Sequence, residues 1–137
     1  MMKDPNQWVQ QSGDYAGHRY TELDQINKSN VGSLKVAWTF STGVLRGHEG
    51  GPLVIGDMMY VHTAIPNIVY ALDLNDNQRI VWKYNPVKGG KYPGGETMDR
   101  VISVMCCDNV NRGVNYHPNG TLVLHAADTS VIALDAK

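Results

Sequence analysis

The two cysteines of the chain are adjacent, at Cys106 and Cys107. Neighbouring Cα atoms lie about 3.8 Å apart across a trans peptide, whereas an ordinary disulfide joins Cα atoms about 4.4–6.8 Å apart. A bond between them would close a small, strained ring that constrains almost no chain in the unfolded state. Such a ring would act locally, as a rigid sulfur-lined surface of a site. The alternative, two adjacent buried free cysteines, remains open on these residues alone.

Metal and thiol-redox chemistry fit the cysteine pair less well. Structural zinc sites use separated pairs of Cys and His ligands, and none of the histidines has another three to five residues away. Adjacent cysteines also lack the C-x-x-C spacing of a thioredoxin-like site. We therefore predict no metal site within the chain. The five histidines are His18, His48, His62, His117 and His125.

Composition excludes several classes of partner. Twelve basic residues balance thirteen acidic ones, so no nucleic-acid surface is predicted. No apolar run reaches the roughly 20 residues of a membrane span, and we expect a protein that does not span a membrane. The start of the sequence has no apolar signal region, although export through a leader outside this sequence stays open.

Short strands separated by turn residues dominate the sequence after residue 34. Four of them are predicted at 53–55, 58–63, 68–74 and 80–84, which together make an antiparallel meander. An additional strand is predicted at 36–40. Before it, Asp24 is expected to cap one short helical turn within 24–34.

The meander then starts again. Residues 60–73 align without a gap over 122–135, and the tripeptide at 71–73, Ala-Leu-Asp, recurs at 133–135. Repeats of four short strands are typical of β-propeller blades. The second blade has predicted strands at 114–116, 121–126 and 130–134, and no fourth strand. We therefore predict an all-β fold: a propeller fragment of about two blades, 53–84 and an incomplete 114–137, with 36–40 as a closing strand.

The repeat also brings polar residues together. With the 62-residue offset, Glu49 falls on Asn111, one residue before Arg112. Equivalent connections emerge at the same end of a propeller, so Glu49, Arg112 and the cysteine pair are expected around one mouth. A guanidinium binds carboxylates bidentately and a carboxylate accepts N–H groups, which suits a planar anionic ligand. The alternative for Glu49 and Arg112 is a structural ion pair between blades.

Several segments carry a family resemblance. The chain resembles the N-terminal part of the large subunit of the quinoprotein methanol dehydrogenases, which are periplasmic eight-bladed propellers that bind pyrroloquinoline quinone (PQQ). The resemblance covers nearly all of this chain and about the first quarter of such a subunit, so a fragment is expected. The stretch at 47–50, Gly-His-Glu-Gly, favours the methanol branch over the ethanol branch. The matching segments are 24–31, 36–43, 47–52, 106–108 and 111–113.

The resemblance implies specific roles. Cys106 and Cys107 would form a disulfide ring stacked on the quinone, and Glu49 and Arg112 would contact the cofactor. The metal ligands (for calcium or a lanthanide), the catalytic aspartate and the tryptophan over the other quinone face would lie in later blades. No catalytic residue is therefore expected in this chain.

The resemblance also implies an activity for the whole enzyme. It would oxidise a small primary alcohol to an aldehyde in the periplasm, pass electrons to a c-type cytochrome, and form an oligomer. A non-enzymatic propeller scaffold and an ethanol dehydrogenase are the alternatives. One departure from the family is the long glycine-rich stretch 87–103, and its role is not predicted.

Overall fold

A computed structural model describes residues 4–14, 16–106 and 109–137. Within these ranges, seven β-strands and one α-helix follow a short 3-10 helix, Val31–Ser33. The strands of the first sheet are β1 (Leu53–Ile55), β2 (Met58–His62), β3 (Val69–Asp73) and β4 (Arg79–Tyr84). The helix α1 (Met98–Val104) comes next, followed by β5 (Val114–His117), β6 (Thr121–His125) and β7 (Val131–Asp135).

Strands β1 to β4 form a four-stranded antiparallel meander in chain order. The turn between β1 and β2 passes through Gly56 at φ +59, a left-handed conformation that glycine adopts without steric cost. A β-bulge interrupts the pairing of β3 with β4 between Ala71 and Leu72. The four strands predicted from alternation and turn residues are confirmed, with ends that shift by at most one residue.

Strands β5 to β7 form the second sheet, a three-stranded antiparallel meander. The internal repeat is visible in its turns. Asn67, between β2 and β3, has φ +67, and Thr129, at the equivalent position between β6 and β7, has φ +71. Because non-glycine residues seldom adopt this conformation, its presence at matching positions indicates that the two turns have a similar backbone conformation.

The two sheets pack against each other through one apolar cluster. Tyr60 crosses the interface and donates a hydrogen bond of 2.7 Å to the carbonyl oxygen of Ala136. The opposite face of the first sheet is covered by Phe40 and Val44. The buried residues of the interface are Leu53, Tyr60, Val69, Ala71, Val114, Leu122, Leu124 and Ala136.

Two predictions for the N-terminal third are wrong. Residues 36–40 form no strand, and Val36 is 80% exposed. A strand requires a neighbour to complete its hydrogen bonds, and the described residues supply none for this segment. The second error is the cap: the helical turn predicted within 24–34 is present as a single 3-10 turn, Val31–Ser33, but it starts after Asn30, so Asp24 does not cap it.

Helix α1 was not predicted, and all of it except Val104 lies in the glycine-rich stretch 87–103. Thr97 caps its first turn, where the hydroxyl accepts from the backbone N–H of Arg100 at 3.3 Å. Val101 is the buried residue of the helix, and it packs in a cluster with Tyr92, Ile65 and Ala126. The helix thereby fixes the chain against the second sheet immediately before Cys106.

Candidate functional site

Glu49 and Arg112 are brought together from two separate connections. Glu49 lies before β1, and Arg112 lies between α1 and β5. Arg112 Nε is 3.4 Å from Glu49 Oε2, with the arginine side chain 80% exposed and the glutamate side chain 51% exposed. The prediction that these two residues share one place in the fold is confirmed. Their role as cofactor contacts stays a prediction.

The cysteine pair is only partly described. Cys106 follows α1, is exposed, and forms no disulfide with another described residue. Cys107, and Asp108 after it, lie outside the described residues. The bond between the two sulfurs, and the ring it would form over a ligand, therefore remain predictions.

Asn111 anchors the loop that carries Arg112. Its side-chain Nδ2 donates to the carbonyl oxygen of His125 at 2.9 Å, and its Oδ1 accepts from the backbone N–H of Gly113 at 3.0 Å. Its own carbonyl oxygen accepts from Nε2 of His62 at 3.0 Å. The backbone on both sides of Arg112 is thus held, although the guanidinium itself extends into solvent.

His62 is a residue of the site that was not predicted. It is 4% exposed and lies at the end of β2, between the two connections. A methyl group on Gly50 would lie 2.1 Å from Cε1 and Nε2 of the His62 ring, so the ring occupies the space beside Gly50. Burial lowers the pKa of His62, and the nearby His48 lowers it further, against the raising effect of the Asn111 carbonyl. One signal in the sequence could have identified His62: the equivalent position of the repeat is the apolar residue Leu124, so a histidine at position 62 departs from the pattern.

Gln11 also joins the site from the N-terminal segment, and no sequence pattern indicated it. Its Nε2 donates to the backbone carbonyl of Glu49 at 3.4 Å. A methyl group on Gly113 would lie 3.2 Å from its Oε1. Gln11, Asn111, Arg112 and His125 are among the residues that line an open cavity of about 290 Å³ at this position.

His48, next to Glu49 in the Gly-His-Glu-Gly stretch, is occupied within its own loop. Its Nε2 is 3.1 Å from the hydroxyl of Thr42, and its Nδ1 is 2.7 Å from the carbonyl oxygen of Arg46. Both ring nitrogens therefore have partners that shape the connection before β1. We assign His48 a role in holding the loop that presents Glu49.

The described part of the chain has neither a cluster of metal-binding side chains nor a helix that could span a membrane. No group of three or more His, Cys, Asp or Glu side chains comes close enough to hold a metal ion. No helix there has the length and apolar character needed to cross a membrane. The chemistry that the described site offers is ligand binding: an exposed guanidinium beside a carboxylate, on a backbone fixed by Asn111 and His62.

Known proteins are similar to this chain in both sequence and fold. The family described as PQQ, glucose/ethanol/alcohol dehydrogenase, β-propeller domain, matches residues 8–137. The lanthanide-dependent methanol dehydrogenase of Methylorubrum extorquens is 59% identical over 133 residues, which cover 97% of this chain and 20% of that protein. Methanol dehydrogenase (cytochrome c) subunit 1 of Paracoccus denitrificans is 44% identical over 142 residues, covering all of this chain and 21% of that protein.

A solved structure of a europium-containing methanol dehydrogenase superposes with a TM-score of 0.88 at 51% identity, covering 98% of this chain and 22% of that one. The predicted all-β propeller fold is thereby confirmed. The chain spans about a fifth of the length of the curated relatives it matches. It belongs to the PQQ family of glucose, ethanol and other alcohol dehydrogenases, and it matches the β-propeller domain of that family.

Proposed function

We propose that residues 1–137 are the N-terminal part of the propeller of a periplasmic, PQQ-dependent methanol dehydrogenase. The complete enzyme oxidises a small primary alcohol to an aldehyde and passes the electrons to a c-type cytochrome. It works as an oligomer. The observation that carries this proposal is the exposed guanidinium of Arg112, held 3.4 Å from Glu49 on a loop fixed by hydrogen bonds of Asn111 with His62 and His125. The alternative of a non-enzymatic scaffold loses support because the relatives described above are named as dehydrogenases.

The described residues fit PQQ, a planar quinone that carries carboxylates. Arg112 has most of its guanidinium in solvent, and its contact with Glu49 uses Nε. Its terminal nitrogens are thus suited to a ligand carboxylate. The Glu49 carboxylate, 51% exposed, is suited to accept from a ligand N–H or hydroxyl. Cys106 and Cys107 would supply a flat surface for the ring. When bound, PQQ supplies the redox chemistry of the enzyme.

This part of the enzyme binds and orients the cofactor and does not act on the alcohol. Its contribution is the arrangement of Glu49 and Arg112, in which hydrogen bonds of Asn111 with His62 and His125 hold the loop of Arg112. Preorganisation of this kind increases affinity because less freedom is lost on binding. We assign the metal ligands and the base that accepts the alcohol proton to parts of the enzyme outside residues 1–137.

The metal of the complete enzyme is proposed to be a lanthanide. This chain is 59% identical to an enzyme named as lanthanide-dependent and 44% identical to one named for its cytochrome. The difference supports the lanthanide-dependent branch, with calcium as the alternative. Both metals prefer oxygen ligands, so the choice between them depends on the number and charge of carboxylates in the site.

The experiment is to purify the full-length gene product that contains this chain and to reconstitute it with PQQ plus either calcium or lanthanum. We expect one PQQ per subunit by absorbance and methanol-dependent reduction of an artificial electron acceptor, with higher activity in lanthanum. Ethanol and glucose serve as comparison substrates. A protein that retains no PQQ would contradict the proposal, and preferential oxidation of ethanol would move it to the ethanol branch.

A further inference from the structure

His62 lies between the two connections that carry Glu49 and Arg112. Its ring is buried, and Nε2 is 3.0 Å from the carbonyl oxygen of Asn111, the residue before Arg112. A methyl group on Gly50 would lie 2.1 Å from Cε1 and Nε2 of the same ring and 3.0 Å from the backbone carbon of Arg112. The imidazole therefore fills the gap between the residue after Glu49 and the residue before Arg112.

The hydrogen bond determines which ring nitrogen carries the proton. A carbonyl oxygen only accepts, so Nε2 of His62 must donate to Asn111. In the neutral ring, Nδ1 is then unprotonated, and it is buried without a hydrogen-bond partner in the described part of the chain. An unpaired buried nitrogen is unfavourable. The ring thus carries a cost that a purely apolar side chain would not have.

The repeat shows that the fold itself accepts an apolar side chain at this position. The equivalent residue of the second sheet is Leu124, which is fully buried in the core. A histidine at position 62 adds a donor for the Asn111 carbonyl, together with a flat ring beside Gly50. Both features act on the backbone that presents Glu49 and Arg112, and neither is needed to build a sheet.

We propose that His62 is a positioning residue for the cofactor contacts. Its ring sets the separation of the two connections, and its Nε2–H holds the Asn111 carbonyl, so that Glu49 and Arg112 face the same ligand. The inference rests on the proposed function, because the ligand in question is PQQ. It adds to that function a residue that need not touch the cofactor and acts through the backbone.

The test compares variants of the full-length apoprotein by PQQ titration, with thermal unfolding measured in parallel. His62→Leu introduces the side chain found at position 124 and removes the donor. We expect it to weaken PQQ binding by about fivefold or more, the change that corresponds to one lost hydrogen bond, with little loss of unfolding temperature. His62→Gln keeps a donor near the Nε2 position and is expected to recover most of the affinity.

Tyr60→Phe is the matched control. Tyr60 lies two residues before His62 on β2. It also donates from a buried side chain to a backbone carbonyl, that of Ala136, the residue after β7. Its hydroxyl lies within the core between the sheets. We expect Tyr60→Phe to lower the unfolding temperature and to leave the Kd for PQQ unchanged.

Gly50→Ala tests the contact between Gly50 and the His62 ring. Its methyl group would overlap the His62 ring and would also lie 3.0 Å from the backbone carbon of Arg112, so we expect weaker PQQ binding. The part of the loss that acts through the ring should disappear when His62 is already alanine, which leaves a smaller additional loss. Such non-additivity is the signature of residues in direct contact.

The outcomes distinguish a failure of the positioning role of His62 from a failure of the proposed function. If the parent protein binds PQQ and His62→Leu binds it with the same Kd, the positioning role is refuted. Should His62→Leu fail to fold, unchanged affinity in Gly50→Ala would refute it instead. A parent protein that binds no PQQ would overturn the proposed function and this inference with it.

Discussion

Replacement of Arg112 by leucine distinguishes a cofactor contact from a structural ion pair. Arg112 is 80% exposed, and its partner Glu49 is 51% exposed. An ion pair with this exposure contributes about 0–1 kcal/mol to folding, because water and salt screen it. If Arg112 serves only as this pair, Arg112→Leu will therefore change stability slightly and will leave PQQ binding unaffected.

The same substitution has a larger effect if Arg112 binds a carboxylate of PQQ. A hydrogen bond to a charged group contributes about 1.5–3 kcal/mol, which corresponds to a roughly 10- to 150-fold loss of affinity. We expect a loss of this size for Arg112→Leu. Arg112→Lys should fall between the parent and the leucine variant, since lysine keeps the charge and loses the planar fork.

The assay is the PQQ content of the purified full-length variants by absorbance, together with the Kd from titration of the apoproteins. Arg79→Leu is the control, because Arg79 is also exposed and ion-paired, with Asp76 and Asp73, at the start of β4. It should retain full PQQ occupancy. Parental occupancy and Kd in Arg112→Leu would refute the cofactor role and leave Arg112 as an ion-pair residue.

Three further predictions follow from other parts of the chain. Cys106 and Cys107 are expected to form a disulfide with each other in the exported enzyme, since they are the two cysteines of the chain and an oxidising compartment is proposed. Intact-mass measurement after alkylation checks this, and two alkylated thiols in the absence of reductant would contradict it. Residues 1–137 expressed alone are expected to self-associate, because β4 and β7 are sheet edges with exposed Ile80 and Val131, and to oxidise no methanol when PQQ and metal are added. A monodisperse monomer in size-exclusion chromatography that oxidises methanol would contradict this prediction. The lowered pKa of His62 predicts that the free energy of unfolding falls as the pH drops below about 6.5, because the histidine then binds a proton more readily in the unfolded protein than in the folded one. Denaturation of the parent and of His62→Phe at pH 7.5 and pH 5 checks this: the fall in unfolding free energy should be smaller for His62→Phe, and equal falls would argue against a buried neutral ring.

Local patterns in the sequence were sufficient to predict the strands of both sheets. Strands β1 to β7 were predicted because alternating side chains and turn residues such as Gly56 depend on neighbours a few positions away. The repeat of Ala-Leu-Asp extended this to the stacking of two similar sheets. It also brought Glu49 and Arg112 together, since equivalent connections leave a propeller at the same end.

Only the tertiary structure decided the remaining features. Residues 36–40 have strand-like composition, yet a strand requires a neighbour, and no local pattern reports whether one is present. Helix α1 is short, and its packing of Val101 beside Tyr92 outweighs the surrounding glycines. His62 and Asn111 are 49 positions apart, and their hydrogen bond follows from how two sheets pack. Residue types and spacing therefore specified which side chains could bind a ligand, whereas long-range packing determined what holds them in place.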